Sequence, residues 1–314
     1  MTAKSNFAIY GAITANILIA VSKFIAAIFT GSSAMFAEGI HSIIDTGNGF
    51  LLLFGNKKSH RPKDRTHVFG YGMEIYFWSF VVSILIFALG GGFAIYQGIH
   101  SLQNPEIIQD PAWNYWVLIA AVFFEGTSLV IAIRSFRKQN PVGSLFSNII
   151  KSKDPANFVI ILEDSAAVSG LFIAFMGVFI SNHFQNEYAD GIASILIGCE
   201  LLVVAIFLAR ETKGLLLGES ATQTVLKKIQ AILNESEFIR EFGYPKTSHF
   251  GPTAILVIVE IVFKDVISLE DRYTAMEMLR NKIKDKCPEI SQVYLQPVRK
   301  ICSEKFIDSS TDIP

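Results

Sequence analysis

The sequence predicts an all-α membrane bundle of six transmembrane helices followed by a small cytoplasmic α+β domain. Three observations carry that prediction. Apolar runs close to the about 20 residues needed to cross a bilayer crowd the first two-thirds of the chain. Of its 314 residues, 51% are hydrophobic and only 18% are charged, against the roughly one quarter charged that is usual in soluble domains. The charge that is present collects in short gaps between the apolar runs and in the last third. Together these exclude a single soluble enzyme domain, a disordered chain and a disulfide scaffold. A net charge of −1 gives no electrostatic case for a nucleic-acid partner.

The spans follow in order as Phe7 to Phe29, Ala34 to Gly55, Ile75 to Tyr96, Trp113 to Ile133, Asn157 to Ile180 and Ala189 to Leu208. A Gly31-Ser32-Ser33 turn separates the first two. The first run is too long for a cleavable signal and lacks a small-residue cleavage site. Lys57, Lys58, Arg61, Lys63 and Arg65 fill the gap after span two. Arg134, Arg137, Lys138, Lys151 and Lys153 fill the gap after span four, and Arg210 and Lys213 follow span six. The opposite loops hold no Lys or Arg, so both termini are expected to face the cytoplasm. The expected home is a cell (inner) membrane, or an organelle membrane in a eukaryote.

The transmembrane domain is set at 1–212 and the cytoplasmic domain at 213–314. From about Glu219 the composition is that of a soluble domain. Thr222 to Leu233 is an amphipathic helix, Phe238 to Phe242 a weak strand, and Ala254 to Phe263 a β-branched strand. Leu269 to Lys286 is a second helix with Tyr273, Met276, Leu279 and Ile283 along its stripe, and Val293 to Leu295 is a last strand. The order αββαβ predicts a sheet with helices on one face. Cys199, Cys287 and Cys302 show neither a CxxC motif nor a disulfide framework.

Ionisable residues deep in a span are costly and read as functional by default. Span two carries Glu38, His41 and Asp45, with Asn48 one turn further; the spacing puts them near one helical stripe. A histidine and a carboxylate on one face offer nitrogen and oxygen ligands to a divalent cation. Span five adds the adjacent acids Glu163 and Asp164, and span four adds Glu125. Lys23 lies near enough to the end of span one to snorkel and is assigned no transport role. The carboxylates then have no matching number of intramembrane cations, which invites a metal cation, protons, or the two in alternation. Gly90-Gly91-Gly92 in span three and Gly191, Ser194 and Gly198 in span six offer small surfaces for close helix packing, within one subunit or between two.

Several of these features resemble the cation diffusion facilitator family of divalent-metal transporters. They are Gly31-Ser32-Ser33, the His41-Ser42-Ile43-Ile44-Asp45 motif, and the loop from Arg61 to Glu74 with His67-Val68-Phe69-Gly70-Tyr71-Gly72 within it. Asp190 opening span six, Leu217-Gly218-Glu219, and Gly251-Pro252-Thr253 complete the pattern. The runs Leu162 to Ala167 and Glu125-Gly126 point to one branch of the family. The resemblance implies a transport site of His41, Asp45 and Asp164. Where many zinc members have a span-five histidine, this chain has Ile160. Glu163, Glu125 or water is then expected to complete the shell, and Glu163, Glu125 and Glu38 are the candidates for an additional ligand or a second proton carrier. Asp64 and His67 match a weak loop site that some members use. The tail resembles the family's metallochaperone-like domain but holds only His249, so dimerisation with little or no structural metal is expected.

The expected function is a secondary transporter that exchanges a divalent cation, zinc first, for protons and moves it out of the cytoplasm. The cation is cargo, and no cofactor is expected. A metal-binding sensor or scaffold without transport is the alternative. HExxH is absent and no nucleophile stands apart from the ligands, so an enzyme is not expected.

Overall fold

The computed structural model describes residues 3–105, 108, 110–139, 143–265 and 267–301; Cys302 lies outside them. The chain divides into two compact units, Met1–Arg61 with Glu74–Leu216, and Pro62–Met73 with Leu217–Pro314.

The first unit is helical. Its elements are α1 (Ala3–Thr30), α2 (Ser33–Ser59), α3 (Glu74–Leu85), α4 (Gly92–Gln103), α5 (Ala112–Gln139), the short α6 (Leu145–Lys151), α7 (Pro155–Phe184) and α8 (Ala189–Leu216). A π-helical stretch, Ile86–Gly91, joins α3 to α4 in one continuous helix. Among the described residues, four helices are long and apolar enough to cross a membrane: Glu74–Gln103, Ala112–Lys138, Phe158–Phe184 and Ala189–Leu216. Asn16–Thr30 is a shorter apolar stretch. Helix α2 is not among the four; its length suffices, but Glu38, His41, Asp45, Asn48, Lys57 and Lys58 dilute its hydropathy.

That polar helix is the centre of the unit. It packs on α1, α3, α4, α7 and α8, whereas α5 packs only on α1 and α7 among the principal pairings. Buried polar groups need partners, and the start of α2 finds them in Asp190 at the start of α8. Ser32 Oγ donates to Asp190 Oδ1 at 2.6 Å, Ser33 Oγ and the Ser33 amide donate to Oδ2 at 2.7 and 2.5 Å, and the Ala34 amide follows at 3.3 Å. An anionic side chain thus satisfies the orphan amides and the positive end of the α2 dipole. The small residues of the π-helical stretch and α4 face those of α8 inside one subunit: a side chain on Gly198 would meet Gly91 O, and Ser194 Oγ donates to Ala94 O at 2.9 Å. These contacts show packing of the small residues within the subunit.

The second unit holds α9 (Gln223–Asn234), β1 (Ile239–Phe242), β2 (Lys246–His249), β3 (Ile255–Phe263), α10 (Leu269–Lys286) and β4 (Ile290–Pro297). β4 runs parallel to β3, which is possible because α10 crosses between them. β1 and β2 are both antiparallel to β3, β1 opposite Ile261 to Phe263 and β2 opposite Ile255 to Ile258. A strand has two edges and β4 occupies one, so β1 and β2 share the other as a single strand interrupted at Gly243-Tyr244-Pro245, where proline cannot donate to the ladder. The order is therefore αβββαβ, one strand more than expected. Lys246-Thr247-Ser248-His249 is polar and edge-placed, and carries no hydrophobic alternation. Ile255, Val257, Val259, Ile261 and Phe263 form the buried face, packed with Val225, Ile229 and Ile232 of α9 and Ala275, Leu279 and Ile283 of α10. Tyr273, expected in the α10 stripe, is exposed, and Ala275 takes its place. Cys287 is a buried free thiol in this core, and Cys199 is free and exposed.

The loop Pro62–Met73 belongs to this second unit, although the sequence places it between two spans. The reason is local packing: the Phe69 ring stacks on Phe250 with centroids 4.6 Å apart, and Gly72 lies directly against the Phe250 backbone where a side chain would not fit.

Candidate cation site

Glu38, His41, Asp45 and Asn48 descend one stripe of α2, and each finds a different neighbour. The His41 imidazole is buried, with Nε2 3.3 Å from Asp45 Oδ2. Asn48 Nδ2 donates to Glu163 Oε1 at 2.8 Å. On α7, Asp164 Oδ2 accepts from Ser128 Oγ of α5 at 2.9 Å. Adjacent helix residues point about 100° apart, so Glu163 turns to α2 while Asp164 turns to α5.

Asp45, Glu125 and Asp164 line one cavity of about 50 Å³ together with Asn16, Ile19, Ser42, Phe124, Ser128 and Ala167. Three carboxylates from three helices therefore share a space large enough for a water or an ion. Among the described residues, Asp45 Oδ1, Glu125 Oε2 and both His41 ring nitrogens are buried without hydrogen-bond partners. His41 touches the cavity set through Asp45 and does not line the cavity itself. Among the described residues, no three His, Cys, Asp or Glu side chains converge to hold one metal ion. The acids share a chamber without closing on a point.

Glu38 and Glu163 stand apart from this chamber. Glu38 Oε2 binds Lys23 Nζ at 2.9 Å, and Gly170 of α7 leaves the room that its carboxylate occupies. Glu163 is 7% exposed and held by Asn48.

Lys23 overturns the expectation of a snorkelling side chain. It is fully buried, and Nζ donates to Glu38 Oε2 at 2.9 Å, Ser42 Oγ at 2.9 Å and Glu125 Oε1 at 2.8 Å. An ammonium has three donors, and all three are used. The physical reason lies in the partners: two carboxylates within reach stabilise the charge in place, so it does not climb to the membrane surface. The sequence signal was present in its depth. Lys23 lies seven residues, about 10 Å of helix, from Thr30 at the end of α1.

The loop residues have their own chemistry. Asp64 Oδ2 accepts from the Tyr71 hydroxyl at 2.6 Å, and Oδ1 accepts from Thr66 N, Thr66 Oγ1 and His67 N. These bonds, with Tyr71 foremost, hold the Asp64 carboxyl well below the usual carboxylate range. The His67 ring stacks on Tyr71 with centroids 4.1 Å apart. Asp64 and His67 are thus brought together, with the carboxylate engaged in organising its own turn.

A family model described as Cation efflux transmembrane domain matches residues 9–217. The chain is 31% identical over 289 residues to the proton-coupled zinc antiporter SLC30A9, mitochondrial, of Mus musculus, covering 90% of this chain and 51% of that protein. It is 30% identical over 261 residues to metal tolerance protein C4 of Arabidopsis thaliana, covering 82% and 57% respectively. Against the manganese efflux system protein MneP of Bacillus subtilis the identity is 20% over 290 residues, 90% of this chain and 92% of that one. The chain spans about half the length of the SLC30A9 proteins it matches. The match over the helical unit, the apolar helices and the motif residues agree: this multi-pass membrane protein belongs to the cation efflux family of transporters, the cation diffusion facilitators, in a branch resembling SLC30A9.

Proposed function

We propose that this chain moves a divalent metal cation, zinc first, out of the cytoplasm in exchange for protons. The observation that carries the proposal is the chamber lined by Asp45, Glu125 and Asp164, in which Asp45 Oδ1 and Glu125 Oε2 have no hydrogen-bond partner among the described residues. Buried anionic oxygens left without donors are expensive, and a cation or protons relieve that cost. Asp45 and Asp164 act as the anionic ligands, and His41 joins them by a turn of its ring beside Asp45. Glu125 takes the place of the absent span-five histidine at Ile160. Glu163 and Glu38 serve as supports. Imidazole among oxygens favours zinc over magnesium or calcium, and similarity to a zinc antiporter points the same way. Manganese is the runner-up cargo, in keeping with the resemblance to MneP.

Exchange follows from ligand chemistry. Metal binding requires deprotonated carboxylates and a neutral imidazole, so loading from the cytoplasm releases protons. When the chamber opens to the opposite, more acidic side, protons take the same oxygens and the ion leaves. In this reading α1, α2, α3–α4, α5, α7 and α8 all cross the bilayer, with both termini cytoplasmic. The polar helix α2 is tolerated because its neighbours bury it. The first unit is the transmembrane domain, and the tail is a metallochaperone-like cytoplasmic domain that dimerises.

Purified protein in proteoliposomes, loaded with a zinc-sensitive dye and given an imposed pH gradient, tests the proposal. Zinc uptake should track the proton gradient and vanish in Asp45→Ala. Flux indifferent to the gradient would remove proton exchange, and wild-type flux in Asp45→Ala would remove the site.

A further inference from the structure

The buried ammonium of Lys23 sits between a pair of acids with different surroundings. Glu38 binds Lys23 but does not line the cation chamber. Ser42 and Glu125, the other two acceptors, both line the chamber. Lys23 and Glu38 side chains are both completely buried, and together they are neutral. Two of the three Lys23 donors thus reach the wall of the chamber without adding net positive charge beside it.

That arrangement has a consequence for Glu125. Helix α5 is the least embedded of the four long apolar helices, and packs chiefly on α1 and α7. A carboxylate on such a helix is free to swing unless something fixes it. Lys23 binds Oε1 and leaves Oε2 buried, with no partner among the described residues. The side chain is 16% exposed. We infer that Lys23 is a positioning residue for cation binding: with its charge balanced by Glu38, it clamps Glu125 so that Oε2 is presented to the chamber as an acceptor for the metal.

This parallels the support that metal-binding side chains usually receive from a hydrogen-bond donor or acceptor behind them, whose loss costs about 10–100-fold in metal affinity. Glu38 is needed because a bare ammonium would repel the cation it helps to bind. Gly170 belongs to the same device, since any side chain there would displace the Glu38 carboxylate.

The inference rests on reading the chamber as the cation site, and the experiment separates the two. Zinc is titrated calorimetrically into the purified full-length protein in detergent, with monodispersity and helical circular dichroism as the folding control. Lys23→Met/Glu38→Gln removes both charges at once and avoids stranding an ion. It should weaken zinc binding by about 10–100-fold, and Glu125→Gln should do the same. In the triple variant the losses should not multiply, because one interaction cannot be removed twice. Wild-type affinity in Lys23→Met/Glu38→Gln overturns the inference, as do losses that multiply in the triple variant. Glu125→Gln keeps Lys23 paired with Glu38, so it decides the matter if the paired variant fails to fold: wild-type affinity there also overturns the inference. Binding that is lost in Asp45→Ala but kept in all the Lys23, Glu38 and Glu125 variants rejects the clamp and keeps the chamber. Wild-type protein that binds no zinc rejects both.

Discussion

Glu163 and Asp164 are neighbours in the chain with different environments. Asn48 holds the first at 2.8 Å, and the second faces the chamber beside Ser128. Glu163→Gln still accepts the Asn48 amide, so zinc affinity should change little. Asp164→Ala should abolish zinc flux while leaving a folded protein. Titration and proteoliposome flux on the two variants check this, and equal losses would contradict the assignment. The loop offers a second test, apart from the cation chamber. The Asp64 carboxyl is depressed in the folded loop, so its stabilising contribution is complete above the unfolded value of about 3.9 and is lost as pH falls through the folded value. Tyr71→Phe removes the largest cause, and Asp64 should then titrate at higher pH, as carbon-detected NMR of its carboxyl would record. At this scale the acids themselves were legible, because an ionisable residue inside an apolar run has a cost that demands a reason. Their partners were not. Whether Glu163 or Asp164 faces the chamber depends on how α7 is rotated in its packing, and the depth of Lys23 in α1 signals burial without naming Glu38, Ser42 and Glu125 as its acceptors.

The π-helical stretch and α4 approach α8 closely because Gly91 and Gly98 meet Gly198 and Gly191. A side chain on Gly198 would lie 2.8 Å from Ile95 N and 2.9 Å from Gly91 O, and backbone cannot yield as a side chain does. Gly198→Val should therefore destabilise the helical unit by about 1–3 kcal/mol, the usual cost of overpacking. A lowered thermal midpoint in detergent, without any change in zinc affinity at low temperature, is the expected record. The long apolar elements were legible from length and hydropathy alone, and the turn at Gly31-Ser32-Ser33 from its residues. β2 was missed because a polar edge strand has no periodicity to show. Its pairing depends on β3, whose alternating Ile255, Val257, Val259 and Ile261 were plain. The π-helical stretch at Ile86–Gly91 has no sequence signature beyond its glycines.

As a whole, the molecule keeps two kinds of stability apart. The helical unit ties several of its buried polar residues to one another: Asp190 to the start of α2, Lys23 to Glu38 and Glu125, Asn48 to Glu163. The second unit is held by an apolar sheet-and-helix core and by a loop that the sequence order assigns elsewhere. That assignment is invisible in composition, because it depends on Phe69 and Gly72 meeting Phe250, far along the chain. The central claim, that the chamber of Asp45, Glu125 and Asp164 is where a divalent cation binds, is tested most directly by zinc-edge anomalous scattering from crystals of the zinc-loaded protein. The account predicts a single strong peak between α2, α5 and α7, with Asp45 and Asp164 oxygens drawn to about 2.0–2.2 Å of it. A peak found only at the Asp64–His67 loop or in the tail, with the chamber empty, would contradict it.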